Sequence, residues 1–335
     1  MTTRGKLRAA IVGAGQMSRW HAQAVRRAGG VVTAVVDPDV TRAARLAAQH
    51  GARGVSTLAE AASDGGIDVA HICTPVDTHD ALTREAIALR LHAFVEKPLV
   101  PTAAQTESIL RDAATHGVLI CPVHQFPFQR GVREILAALP RIGPVLHIQT
   151  VACSAAAETR DAAWRDRIAE EILPHPLSLF TALLRAPMAA VRWEVVRTAP
   201  GELLATGAVG RATLSILVSM KGRPIANSLR VLAAGGTAHA DLFHGFSVIE
   251  SGAVSRTRKI VNPFVLAAGT LTRAFSNLTR RAVTRESAYP GLRELVSAFY
   301  AAARGEAPPP VTPEQILDMA LARDALVARV GLVQR

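Results

Sequence analysis

Two glycines, a carboxylate and a lysine stand where they could hold a nucleotide and handle a proton. Gly13 and Gly15 lie in Ala10-Ile11-Val12-Gly13-Ala14-Gly15-Gln16-Met17-Ser18, between a β-branched run and a helical stretch. A glycine turn joining strand to helix presents backbone N–H groups to a pyrophosphate at the positive end of the helix dipole. Gly13 makes the tight turn, Gly15 lets the backbone approach the phosphates, and Gln16 and Met17 lead into the helix. The third marked position of this fingerprint calls for glycine or alanine, to allow close packing; here it is Ser18, one hydroxyl larger than alanine. Asp37 follows roughly twenty residues on, where a carboxylate accepts hydrogen bonds from an adenosine ribose and repels a 2′-phosphate. NAD is therefore the expected cofactor, and Arg42 close behind leaves NADP open. Lys97 ends a later β-branched run, in Glu96-Lys97-Pro98, and can hold a substrate oxygen at the strand end, where open α/β sheets bind their ligands. The plainer readings are a polar turn for Asp37-Pro38-Asp39 and a surface lysine for Lys97.

The elements that must position these residues follow an alternating rhythm. Residues 7–12, 31–37, 69–75, 92–98 and 118–123 read as strands covered on both faces, as a parallel sheet requires. Helices are expected at Met17–Ala28, Thr41–His50, His79–Ala88 and Ala103–His116, so that the first part, 1–123, is a doubly wound α/β Rossmann domain. After residue 124 the rhythm changes. A helix over 130–139 leads to a strand at Leu146–Cys153, a polar loop, and a helix around Pro176–Leu184. Extended segments follow at Val191–Thr198, Leu203–Val209, Ala212–Met220, Ser228–Ala234 and Thr237–Phe243. Short turns between them predict a mostly antiparallel sheet and an α+β domain over 124–312. A last helix, at Pro313–Val330 with Thr312 as cap, is expected to pack back on the body from the segment 313–335.

Three motifs at strand ends, GxGxM, Thr74-Pro75 with His79, and Glu96-Lys97-Pro98, resemble those of the Gfo/Idh/MocA oxidoreductases. The resemblance implies a C-terminal domain with an open, largely antiparallel sheet and a nicotinamide pocket shaped by Thr74 and Pro75. It places His79 and Glu96 among the cofactor-binding residues, and implies a cis peptide bond before Pro98 that aims Lys97 at the substrate. It also implies a histidine partner, preceded by four residues by an aspartate. In Glu170-Glu171-Ile172-Leu173-Pro174-His175-Pro176, His175 matches the histidine and Glu171 the aspartate. His175 would move the hydroxyl proton and Glu171 would fix its tautomer. The stretch departs from the family pattern in its longer acid, in RDRIAEEI where glycines are usual, and in the prolines flanking His175. Further resemblance puts His124 and Gln125 at the substrate, and Trp164 with Arg165 in a cleft loop.

The implied activity is hydride transfer between a nicotinamide and a carbinol or carbonyl carbon of a sugar, sugar nucleotide or cyclitol. Two alternatives stay open: a reaction without net redox that uses tightly held NAD transiently, and a catalytically silent dinucleotide sensor.

Composition bounds the remaining possibilities. In 335 residues, hydrophobic side chains make up 49% and charged ones 19%, an ordinary globular balance. The net charge of +11 favours anionic ligands, but scattered arginines and 4% aromatics are poor material for nucleic acid. Cys73, Cys121 and Cys153 have no metal or redox spacing and read as buried thiols. With neither a signal peptide nor a membrane-length apolar run, a cytoplasmic location is expected, and an open sheet suggests a homodimer or homotetramer. One segment stands apart: from Gly252 to Arg285 there is no acidic residue but seven basic ones, among them Arg273 and Arg280. Phe264, Ala268, Leu271, Phe275, Leu278 and Ala282 recur there at helical steps. A helix packed on the sheet or across a subunit interface is the plain expectation; contact of 256–285 with an anionic membrane surface, or with a phosphorylated substrate such as a sugar nucleotide or lipid-linked sugar, is the sharper one.

Overall fold

The computed structural model describes residues 5–63, 66–154, 159–252, 255–286 and 288–333. They fall into two compact units, Met1–His124 with Leu292–Ala320, and Gln125–Gly291 with Leu321–Arg335. The segment expected as one domain over 124–312 is thus divided, its last part, from Leu292, belonging with the first unit.

In the first unit β1 (Arg8–Val12), α1 (Ser18–Arg27), β2 (Val31–Val36), α2 (Val40–Ala48), β3 (Arg53–Val55), α3 (Leu58–Ala62), β4 (Val69–Ile72), α4 (His79–Ala88), β5 (His92–Val95), α5 (Ala103–His116) and β6 (Ile120–Pro122) follow in chain order. The strands pair in parallel in the order β3-β2-β1-β4-β5-β6, the doubly wound arrangement read from the sequence. Ala9, Ala10, Ile11, Val35, Ala70, Ile72, Phe94 and Val95 are buried, which is why these strands are apolar on both faces. Helix ends follow local chemistry. Asp39 caps α2 by accepting from the Thr41 and Arg42 amides, while α5 starts on the Thr102 hydroxyl and stops at left-handed Gly117. Two short elements had no clear signal. The strand β3 is only Arg-Gly-Val, with one buried residue, and α3 is a five-residue turn capped by Thr57.

In the second unit α6 (Arg130–Ile142), β7 (Val145–Cys153), α7 (Ala162–Ile172) and α8 (Pro174–Leu184) precede β8 (Glu194–Ala199), β9 (Glu202–Val209), β10 (Ala212–Ser219), β11 (Ala226–Ala233), β12 (Gly236–Asp241), β13 (Phe246–Ser251) and α9 (Arg256–Thr284). The seven strands run β13-β12-β11-β7-β10-β9-β8, antiparallel except for the parallel pair β7 and β10. Alternation sets Leu203, Ala205, Leu214, Ile216, Leu229 and Val231 inward and leaves Leu204, Leu217 and Leu232 more exposed.

Two helices complete the chain. Helix α10 (Leu292–Ala303) packs on α1, and α11 (Pro313–Val333) begins with Thr312 and Gln315 exchanging hydrogen bonds as a capping box. Cys121 is buried, whereas Cys73 and Cys153, expected to be buried, are half-exposed; all three are free thiols.

Candidate active site

The glycine turn is built as a phosphate cradle. Gly13 has φ +90°, and a Cβ there would lie 2.9 Å from Thr74 Cγ2 and 3.1 Å from the Cys73 carbonyl oxygen, so only glycine fits. Around Gly15 the space is open; the nearest atom to a Cβ would be Arg42 Nη2 at 4.0 Å. No side chain caps the N-terminus of α1 at Met17, which leaves its first amides for another acceptor. Ser18 is fully buried and its hydroxyl donates to the Gly13 carbonyl at 2.6 Å, fastening the turn to the helix it opens.

Asp37 stiffens the same loop from the neighbouring strand. Its Oδ2 accepts from the Ala14 amide at 2.7 Å and its Oδ1 from the Asp39 amide at 2.9 Å, and Arg42 Nη2 lies 3.9 Å away. Each carboxylate oxygen can accept a second bond, so the group can still take a ribose hydroxyl. Gln16 is exposed and Met17 half-buried at the mouth of the turn.

The ends of β4 and β5 stand beside this loop in the sheet. Thr74 Oγ1 accepts from Thr78 at 2.7 Å, and Pro75 is exposed next to it. His79, expected at the cofactor, is buried and serves as a brace instead. Its Nδ1 faces the Pro98 carbonyl at 2.9 Å and its Nε2 the Thr74 carbonyl at 2.9 Å, tying the two strand ends together. The peptide Lys97–Pro98 is cis.

Glu96, also expected at the cofactor, takes part in a buried chain the sequence did not reveal. Its Oε1 meets His21 Nε2 at 2.9 Å, His21 Nδ1 meets His71 Nδ1 at 3.2 Å, and His71 Nε2 meets the Tyr300 hydroxyl at 2.9 Å. The Lys97 amide donates to Glu96 Oε2 at 3.3 Å. Burial pushes the Glu96 carboxyl up, but the His21 hydrogen bond and charge, with Lys97, outweigh it and hold the group below the ordinary carboxylate range. Burial, and secondarily His21, drives His71 well below the ordinary imidazole range. Ionised Glu96 only accepts, so His21 donates to it through Nε2, and the His21–His71 and His71–Tyr300 contacts continue the hydrogen-bond chain. The signal that could have found this chain is His71 itself, a histidine inside a strand covered on both faces, which needs a partner.

His124 lies at the edge of the first unit, buried, with Nδ1 lacking a hydrogen-bond partner among the described residues. Burial, and beyond it the charge of Lys97, push its imidazole down to about 4. A neutral ring with an unsatisfied nitrogen therefore sits within electrostatic reach of half-buried Lys97.

In the second unit, the expected polar loop before His175 is largely the helix α7, and residues 155–158 of it lie outside the described residues. Trp164 and Arg165 occupy its first turn, which Asp161 caps at the Trp164 amide. Arg160 stacks over the Trp164 ring at 5.3 Å, and Arg165 Nη1 donates to the Arg160 carbonyl at 2.6 Å. Glu171 is near the end of α7 and His175 in the first turn of α8, so the four-residue spacing crosses a junction at Leu173 rather than lying within one helix. The prolines explain it: Pro174 and Pro176 suit the start of a helix, where their missing N–H groups cost nothing. His175 is half-buried and stacks on Phe126 with ring centroids 4.1 Å apart. Gln125, just before Phe126, is buried, and its carbonyl accepts from the Phe128 amide. Burial raises the Glu170 carboxyl, Asp166 and Glu171 adding to it, against Arg323 and Arg197.

A parallel sheet in this order, with a glycine turn leading into α1, defines a dinucleotide-binding unit, and Lys97 follows the end of β5 beside it. Residues 7–124 match the model of the Gfo/Idh/MocA oxidoreductase family, with its NAD-binding Rossmann fold. Inositol 2-dehydrogenase from Leifsonia xyli subsp. xyli is 38% identical over 112 residues, 33% of each chain. The chain thus matches about a third of the length of this curated relative. Over nearly the full length the fold is that of UDP-N-acetylglucosamine 3-dehydrogenase GnnA from Acidithiobacillus ferrooxidans, with TM-score 0.75, 16% identity and coverage of 99% and 100%. The WlbA dehydrogenase from Bordetella pertussis, solved with NADH and UDP-GlcNAcA, gives TM-score 0.77 at 18% identity, covering 99% and 97%.

Proposed function

We propose that this chain is an NAD-dependent oxidoreductase acting on a carbinol or carbonyl carbon of a sugar, sugar nucleotide or cyclitol. The observation that carries the reading is Lys97 at the end of β5, its amide on Glu96 and its charge felt by neutral His124, in the sheet that bears the glycine turn. Bound NAD supplies or accepts the hydride at its nicotinamide. The Gly13–Gly15 turn and the α1 amides would bind its pyrophosphate, Asp37 its ribose, and Thr74 and Pro75 would border the nicotinamide. Asp37 favours NAD over NADP, because its carboxylate repels a 2′-phosphate.

In this reading Lys97 donates a hydrogen bond to the reacting oxygen and stabilises negative charge on it. His124, unable to take a proton near neutral pH, serves as a neutral hydrogen-bonding group at the same oxygen or its neighbour. His175 is the proposed proton acceptor, with Glu171 orienting it and Gln125, Trp164 and Arg165 binding polar substrate groups. Stacking on Phe126 supports this role, since it holds the imidazole plane fixed. The apolar row Val196, Leu204 and Leu217, cross-strand neighbours on the exposed side of the second sheet, supports a homo-oligomer. A cytoplasmic location agrees with this chemistry.

The test is substitution of Lys97 with a panel of polyhydroxylated substrates, read at the reduced-nicotinamide absorbance. Lys97→Ala is expected to lower kcat by about 100-fold or more while leaving NADH binding by fluorescence unchanged. Turnover near that of the parent would overturn the assignment.

A further inference from the structure

The basic helix α9 packs the opposite way to an ordinary surface helix. Its polar side turns toward its own unit: Asn262 donates to Glu250 at 3.0 Å, Asn277 to the His244 carbonyl at 3.0 Å, and Arg280 to Glu286 at 2.8 Å. Arg273 lies 3.7 Å from Glu134, and a Cβ on Gly269 would meet Val248 of β13 at 3.9 Å. The apolar stripe read from the sequence therefore faces solvent. Ile260, Phe264, Leu271, Phe275 and Leu278 are between 68% and 76% exposed, on one side of a 29-residue helix. At 1.5 Å per residue the stripe from Ile260 to Leu278 runs roughly 27 Å, more contiguous apolar surface than a soluble monomer ordinarily leaves open. The helix does pack on the sheet, against β13, but through its polar side rather than its apolar one.

Charge decides what covers it. Seven basic residues and no acidic one lie between Gly252 and Arg285, gathered toward the two ends of the helix. The side chains of Arg256, Arg258 and Lys259 lie outside the described residues. A second copy of α9 laid on the first would set the basic residues 256, 258 and 259 and the exposed Arg285 against their like or one another, with no carboxylate between Gly252 and Arg285 to pair them. An anionic surface meets the same charges favourably, and the net charge of +11 draws the whole chain toward it. Among the described residues no helix is long and apolar enough to cross a membrane, so the geometry is that of a helix lying in the surface plane.

We propose that α9 docks the protein on an anionic phospholipid bilayer, with Ile260, Phe264, Leu271, Phe275 and Leu278 among the acyl chains and the basic ends on the headgroups. The surface is distinct from the residues assigned to hydride transfer, and the proposal stands or falls independently of them.

The experiment is flotation of the full chain with vesicles of phosphatidylcholine containing roughly 30% phosphatidylglycerol, against pure phosphatidylcholine, at about 50 mM salt. The protein is expected to float with the anionic vesicles only, and less so as salt rises. The triple variant Phe264→Glu, Leu271→Glu, Phe275→Glu, altered only at exposed positions and checked for folding by circular dichroism, is expected to partition about tenfold or more weakly. Three outcomes would overturn the proposal: no flotation of the parent, equal flotation of the variant, or a vesicle-free dimer by light scattering that the variant returns to monomer. The last would assign the stripe to a second copy.

Discussion

Ser18 replaces a glycine of the nucleotide fingerprint without loosening it, because its hydroxyl finds the Gly13 carbonyl at 2.6 Å in a fully buried position. A residue that looked like a packing variation is a fastener for the turn. His124 carries a prediction at the same scale. Its folded pKa of about 4 lies below the ordinary 6.5, so the folded state holds fewer protons than the unfolded chain between those values. The stability it brings is complete above pH 6.5 and is lost as pH falls toward 4. In urea unfolding at pH 7 and pH 4.5, His124→Gln is expected to lose about 2 kcal/mol less than the parent between the two conditions. Which residues were legible follows from the distance to their partners. Gly13, Gly15 and Asp37 act within one strand-turn-helix unit, so their spacing alone located the turn. His79 and Glu96 were assigned to the cofactor, yet their bonds go to Pro98 and Thr74, and to His21. No local pattern reveals that Tyr300, 229 positions from His71, ends the chain Glu96 begins.

Among the elements, those with strong apolar runs were legible and those defined by a few contacts were not. Strands β1, β2, β4 and β5 are covered on both faces and read plainly; β3 exposes two of its three residues. Helix α7 passed for a loop because only Ala169 within it is buried, and α8 began two residues early because Pro174 could take its first position. Helix α10 had no assigned role, yet its Tyr300 fills the space above Gly30, where a Cβ would lie 2.6 Å from the ring, and its hydroxyl meets His71 Nε2. Tyr300→Phe keeps the ring and removes the hydroxyl, leaving His71 Nε2 without that partner in a buried site. Thermal or urea unfolding is expected to show a loss of about 1–3 kcal/mol, with the fold by circular dichroism unchanged.

At the scale of the molecule, the two-part architecture was legible and its connectivity was not. Alternating strands and helices, then clustered strands, marked two kinds of sheet, but nothing in the composition of 292–320 assigns it to the first unit. The consequence is testable. A chain ending at Gly291 retains every residue proposed to touch the cofactor, yet lacks the helix that covers α1 and the partner of His71. It is expected to aggregate or to lose NADH binding by fluorescence titration, whereas a chain lacking only the last few residues should keep it.

The discontinuous first unit also fixes a timetable for synthesis. Its sheet emerges first from the ribosome, but Tyr300 arrives only after the whole of Gln125–Gly291 has been made, a delay of roughly ten to thirty seconds at ordinary translation rates. Throughout that interval α1 and the His21–His71 pair lack their cover, so the nascent chain must shelter an unfinished nucleotide fold while its second unit is still being assembled.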